Sequence, residues 1–136
     1  MNQVHTVASD KVYQVWNEVE DYLKASIETN TGDCTLEQLK GLLVSNAQTL
    51  LVAMNNDKIV GAMTVEFINY PNERVMFITA LGGKGIVNNT TFSQVEKWAK
   101  MQGATKSAAW AQEAQARLYK NKAGFTTMKY VMEKKL

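Results

Sequence analysis

The chain has 136 residues, 46% of them hydrophobic and 21% charged, a size and composition that suit one independently folding core and argue against disorder. Its formal net charge of +2 is too small for a phosphate-tracking surface, and Arg74 and Arg117 are the only arginines, so nucleic acid is not an expected partner. Cys34 and His5 are single, which leaves no internal disulfide and no familiar zinc spacing, so no metal is expected. Without a basic, then apolar N-terminus or any run near ~20 apolar residues, the chain is expected to be cytoplasmic, with no membrane partner.

Residues 4–7 alternate and predict a strand. Ser9 is a good N-cap, and Val12, Val15, Trp16, Val19, Leu23 and Ile27 follow at helical spacing. The polar run 30–33 should end that helix, and Thr35-Leu36-Glu37-Gln38 has the form of a capping box opening a short second one through Leu39, Leu42 and Leu43. The period then changes. Residues 49–54 form a buried-strand run, 55–58 carry turn chemistry, 59–68 resume the strand pattern, and a second turn at 69–73 leads to a strand at 74–80. A three-stranded antiparallel meander follows, ending in glycines.

Leu81-Gly82-Gly83-Lys84-Gly85-Ile86 leads through Asn88 and Asn89 to a second predicted capping box, Thr91-Phe92-Ser93-Gln94, and a helix with Phe92, Val95, Trp98 and Ala99 inward, closed by Gly103. Residues 104–111 fit a strand, 113–122 a helix with Ala114, Leu118 and Tyr119 on one side that stops at Gly124, and 125–132 a last strand. The predicted order is β-α-α-β-β-β-α-β-α-β: a single α/β domain spanning 1–136, with a mixed, mostly antiparallel sheet flanked by helices.

A glycine-rich turn that feeds a helix N-terminus is suited to an anion, because free backbone N–H groups and the helix dipole point at it and glycine lets it approach. Gly82, Gly83 and Gly85 supply that permissiveness and Lys84 a cation. The plainer alternative is that these glycines only turn a strand into a helix.

The element order resembles the GNAT superfamily of N-acetyltransferases over nearly the whole chain. Two segments carry the likeness: Leu50, Val60 and Gly61 with their hairpin, and Ala116-Arg117-Leu118-Tyr119 with Gly124-Phe125, which is similar to the family's C-terminal R-x-Y…G-F signature. The resemblance implies acetyl-CoA as cofactor and direct acetyl transfer to an amine, carried by a small molecule or a peptide. The family's pyrophosphate loop, R/Q-x-x-G-x-G/A, overlays Gly82, Gly83, Lys84, Gly85, Ile86 and Val87, where Gly82 and Val87 depart from the pattern. By the same resemblance, main-chain groups of Phe77, Ile78, Thr79 and Ala80 would hold the pantetheine arm on a strand that splays from its neighbour.

Tyr119 resembles the family tyrosine that protonates the departing thiolate, although five residues separate it from Gly124 where four are usual. The family's strand glutamate has no counterpart in residues 75–79, so Glu66 is the foremost substitute base, with Glu18, Asp21, Glu113 and a water relay left open. Trp16 and Tyr22 either border an acceptor pocket or pack in the core. A second class of function also stays open: a GNAT-fold binding or structural protein without acetyl transfer, similar to short GNAT-like proteins of tailed bacteriophages. The exposed end of the sheet is a candidate homodimer surface.

Overall fold

The computed structural model describes residues 2–29 and 34–136, and the helix terminator expected at 30–33 lies outside them. Strand β1 (Gln3–Val7) passes through a 3-10 turn (Ser9–Lys11) into α1 (Val12–Thr29). Val12, Trp16, Val19 and Leu23 fall on one side of α1 and are each no more than 4% exposed, so this stripe fixes which way the helix faces. Helix α2 (Leu36–Val44) starts with the expected reciprocal cap: Gln38 N–H donates to Thr35 Oγ1 at 3.2 Å, and Thr35 N–H donates to Gln38 Oε1 at 2.9 Å.

Strands β2 (Thr49–Asn55), β3 (Lys58–Asn69) and β4 (Arg74–Gly83) form the meander, followed by α3 (Asn89–Met101), β5 (Lys106–Ala109) and α4 (Glu113–Ala123). The sheet order is β1-β2-β3-β4-β5, antiparallel except for the parallel pair β4–β5. Both faces are covered. Leu50, Val52, Ala62 and Ala80 meet α1 and α2, while Leu51, Met63, Val65, Met76 and Ile78 meet Phe92 and Val95 of α3 and Tyr119 of α4. Burial on both sides explains why β2 and β3 are near-continuous apolar runs instead of alternating ones.

The β3–β4 ladder contains one irregularity with consequences for the site. Val65 opposes Ile78 and Thr64 opposes Ala80, so Thr79 has no partner and bulges out of β4. The Thr79 hydroxyl turns to Thr64 Oγ1 at 2.7 Å and to Gln48 Oε1 at 2.6 Å, while Ala80 packs in the α1 and α2 cluster, so both residues face the same side.

Several sequence expectations need correction. Strand β4 does not stop before the glycines but continues through Gly83, paired to Gly61 of β3. Helix α3 is capped by Asn88, whose Oδ1 accepts from Thr91 N–H at 2.9 Å, so Thr91 lies inside the first turn and is not the cap. Strand β5 is four residues long, within the eight expected. Residues 125–132 form no strand; Met128, Tyr130 and Met132 are 80%, 91% and 90% exposed.

Candidate active site

The parallel ladder between β4 and β5 runs from Val75 opposite Lys106 to Ile78 opposite Ala109 and ends there, although β4 continues to Gly83. Past Ala109 the chain turns away through Trp110 into α4, so the two strands part at the bulge. A bulge increases local twist and bends its strand, which accounts for the parting at this position. The resulting cleft is lined by Ser26 of α1, Ile78, Thr79, Ala80 and Leu81 of β4, Trp110, and Gln115 and Tyr119 of α4. It is narrow, about 20 Å³, and Ser26 contributes to its closure: its hydroxyl accepts from Leu81 N–H at 3.2 Å, on the edge of β4 that β5 has left. Trp110 closes the other side, its ring set edge-on to Phe77 with centroids 5.4 Å apart.

Tyr119 reaches this cleft from α4. Its ring is 6% exposed and packs on Phe125 at 4.9 Å, and burial holds its phenol pKa well above the ordinary value, so the hydroxyl keeps its proton. The five-residue spacing to Gly124 is absorbed by the helix itself: α4 runs to Ala123, and Gly124 N–H closes it on Tyr119 O. The extra residue has not carried Tyr119 away from the cleft.

The glycine segment is divided between packing and turning. Gly82 sits beneath α1, where a Cβ would overlap the main-chain oxygen of Tyr22, so its absent side chain permits the helix to sit on the strand. Gly83 is equally hemmed in, by Gly61 and Val60 O. Only from Lys84 does the chain leave the sheet. Lys84 is exposed; Gly85 has φ +79°, a left-handed turn, and its carbonyl accepts from Asn88 Nδ2 at 2.8 Å and Asn2 Nδ2 at 3.2 Å. Ile86 and Val87 turn their side chains into the α3 core, at 1% and 8% exposure. An open depression of about 330 Å³ lies over the α3 N-terminus, lined by Asn2, Asn88, Thr90 and Thr91.

The candidate bases are dispersed. Glu66 lies opposite Phe77, beside the cleft but not lining it, while Glu18, Asp21 and Glu113 are exposed and Glu113 engages Arg117 at 3.4 Å. Trp16 is core at 4% exposure, and Tyr22 Oη donates to Ile59 O at 3.3 Å, so neither borders the cleft.

No protein-family model and no curated protein matches the chain. Solved structures do. A putative acetyl transferase from Pyrococcus furiosus aligns with a TM-score of 0.70 at 16% identity over 100% of both chains. An aminoglycoside acetyltransferase from an uncultured soil metagenomic sample, in complex with sisomicin, reaches a TM-score of 0.71 at 15% identity, covering 99% of this chain and 96% of that one. A predicted acetyltransferase with acetyl-CoA from Clostridium acetobutylicum reaches 0.67 at 14% identity, with the same coverages. The chain has the GNAT acetyltransferase fold.

Within this GNAT fold, sequence reasoning found Ile78, Thr79, Ala80 and Tyr119 of the cleft and missed Ser26, Leu81, Trp110 and Gln115. One signal was available for Ser26, a hydroxyl residue three positions after Leu23 on the buried side of α1. Among the described residues no helix is long and apolar enough to cross a membrane.

Proposed function

We propose that this chain is an acetyl-CoA-dependent N-acetyltransferase, acting on an amine. The observation that carries the reading is the parting of β4 from β5 at Ile78 and Ala109, which leaves a stretch of strand edge without a strand partner beside a buried, protonated tyrosine. An edge of this kind recognises an extended, amide-bearing chain by adding it as a further strand. The main chain of Ile78, Thr79, Ala80 and Leu81 would hold the pantetheine arm, and Lys84, Gly85 and the α3 N-terminus would take the phosphates. The donors suit that group, while the narrow cleft requires Ser26 and Trp110 to give way on binding. When bound, acetyl-CoA supplies an activated thioester.

The chain's own residues have defined tasks. β4 would orient the acyl carbonyl, and Tyr119 would give its proton to the departing sulfur as the C–N bond forms and the C–S bond breaks, regaining one through solvent from the nitrogen, which loses a proton as the amide forms. Among the described residues no carboxylate lines the cleft, so the ammonium proton of the acceptor would leave to solvent before attack. The likeness to acetyltransferases, one of them solved with acetyl-CoA, supports the cofactor assignment.

A second reading, a GNAT-fold binding or structural protein without transfer, of the kind phages encode, is favoured by the Ser26 contact to Leu81 and by the consumption of Gly82 and Gly83 in packing. Isothermal titration with acetyl-CoA, followed by thiol release over a panel of amines, separates the two. Binding with turnover supports the enzyme, binding without turnover supports the second reading, and no binding refutes the cofactor assignment.

A further inference from the structure

We propose that the acceptor is an amine carrying a second positive charge, which Glu66, Phe77 and Trp110 hold on the sheet face beside the cleft. The proposal rests on the acetyl-transfer reading above. Glu66 of β3 and Phe77 of β4 are directly opposed, and Phe77 is opposed in turn to Ala108 of β5, so a carboxylate, an aromatic ring and a methyl group share one rung and one face. Ala108 is small, Phe77 is half-buried, and Trp110, 60% exposed, stands edge-on to the Phe77 ring with centroids 5.4 Å apart. Trp110 also lines the cleft, which makes the aromatic pair continuous with the site of transfer.

Glu66 is half-buried, and its carboxylate has no hydrogen bond or ion pair among the described residues. The basic residues of the neighbouring strands are committed elsewhere: Lys106 to Glu73 at 2.8 Å, and Arg74 to Asn69 Oδ1 at 2.8 Å while lying 4.5 Å above the Phe67 ring. A carboxylate beside one aromatic ring, itself packed on a second, attracts a cation twice over, through its charge and through the ring quadrupole, and both act more strongly in a partly desolvated site.

The geometry also sets a length. Thr79, at the cleft, lies two residues along β4 from Phe77, a separation of ~7 Å. An attacking nitrogen must be unprotonated, so the charge retained at Glu66 belongs to a second, non-reacting group about that far away, the span of a four- or five-carbon chain. Linear diamines, and larger amines that present two nitrogens at this spacing, fit the description.

The test compares 1,5-diaminopentane with 5-aminopentan-1-ol, which keeps the length and replaces the second cation by a hydroxyl. Both are titrated calorimetrically into the protein, alone and saturated with CoA, whose free thiol cannot transfer an acetyl group. The diamine should bind at least about ten-fold more tightly, and the preference should collapse toward unity in Glu66→Gln and shrink in Phe77→Leu. Acetyl-CoA affinity should be unchanged in Glu66→Gln. In turnover assays Glu66→Gln should raise KM for the diamine and leave kcat near wild type. Equal binding of the two ligands by the wild type, or no diamine binding, overturns the proposal; so does a Glu66→Gln variant whose kcat falls equally for both amines, which would make Glu66 a base. Failure of acetyl-CoA to bind would refute the acetyl-transfer reading alone, because the titration without CoA still measures diamine selectivity.

Discussion

Replacing Gly82 by alanine tests how α1 is seated on the sheet. The new Cβ would overlap the carbonyl oxygen of Tyr22 and stand 3.0 Å from its Cα, so the obstacle is helix backbone and no side-chain rotation relieves it. The helix must lift from β4, loosening the contacts of Val19 and Leu23, both wholly buried. Overpacking costs ~1–3 kcal/mol when side chains can adjust, so a clash with backbone belongs at the upper end, about 3 kcal/mol. With an unfolding entropy of ~2.1 cal/mol/K per residue over 136 residues, that loss corresponds to a Tm lowered by about 10 °C. Gly41 of α2 is the internal control. Nothing lies within 4 Å of a Cβ built there, so Gly41→Ala should raise Tm by about 3 °C through helix propensity alone. Differential scanning calorimetry of the two variants reads both changes. A Gly82→Ala protein melting within about 2 °C of wild type would refute the close seating of α1 on β4, and with it the assignment of Gly82 to packing.

Four further outcomes are expected. Tyr119→Phe should keep acetyl-CoA affinity and lower turnover by about 10²-fold or more, since the ring packing is retained and the proton donor is lost; unchanged turnover would leave Tyr119 a packing residue. The same variant tests a pH effect: burial raises the folded-state phenol pKa, so the stability that Tyr119 contributes is intact below the unfolded value near ~10 and is lost as pH rises above it. Wild-type Tm should therefore fall more steeply than that of Tyr119→Phe between about pH 9 and 11, and parallel curves would contradict a buried phenol. Ser26→Ala should lower stability while tightening acetyl-CoA binding by about five-fold, because a hydrogen bond of ~1 kcal/mol to Leu81 no longer has to be broken; titration showing weaker binding would mean that Ser26 helps to hold the ligand. Lys84→Ala should weaken acetyl-CoA binding only about two- to five-fold at low salt, and less as salt is added, as expected of an exposed charge; a salt-independent loss would indicate packing by the lysine stem.

Much of the architecture was legible in the sequence because it depends on local periodicity and local hydrogen bonds. The stripe of Val12, Trp16, Val19 and Leu23, the box at Thr35 and Gln38, and the apolar runs of β2, β3 and β4 each follow from neighbours a few residues apart. Tyr119 was placed by its signature with Gly124 and Phe125, and its pairing with Phe125 is present in the structure. Where the sequence misled, two local signals competed and a distant contact decided between them. Asn88 and Thr91 are both acceptable caps, and Asn88 prevailed because its amide also reaches Gly85 O. Gly82 and Gly83 read as a loop by composition, yet pairing to β3 and the weight of α1 above them keep the chain in the sheet.

The cleft was legible only in part, for a different reason. It arises where one strand ends and its neighbour continues, a relation between Ile78 and Ala109 that no window of sequence contains. Its wall combines Ser26 with residues of β4 and α4 more than 50 positions away, and the Thr79 bulge that opens it appears only when β3 and β4 are laid in register. The sequence by itself determined most of the helices and strands and which face of each is apolar, because those properties repeat along the chain; the strand expected at 125–132, which the structure lacks, is the exception. The tertiary structure alone decided which backbone groups are left over at the parting of two strands, because a group is unpaired only once every other pairing has been made.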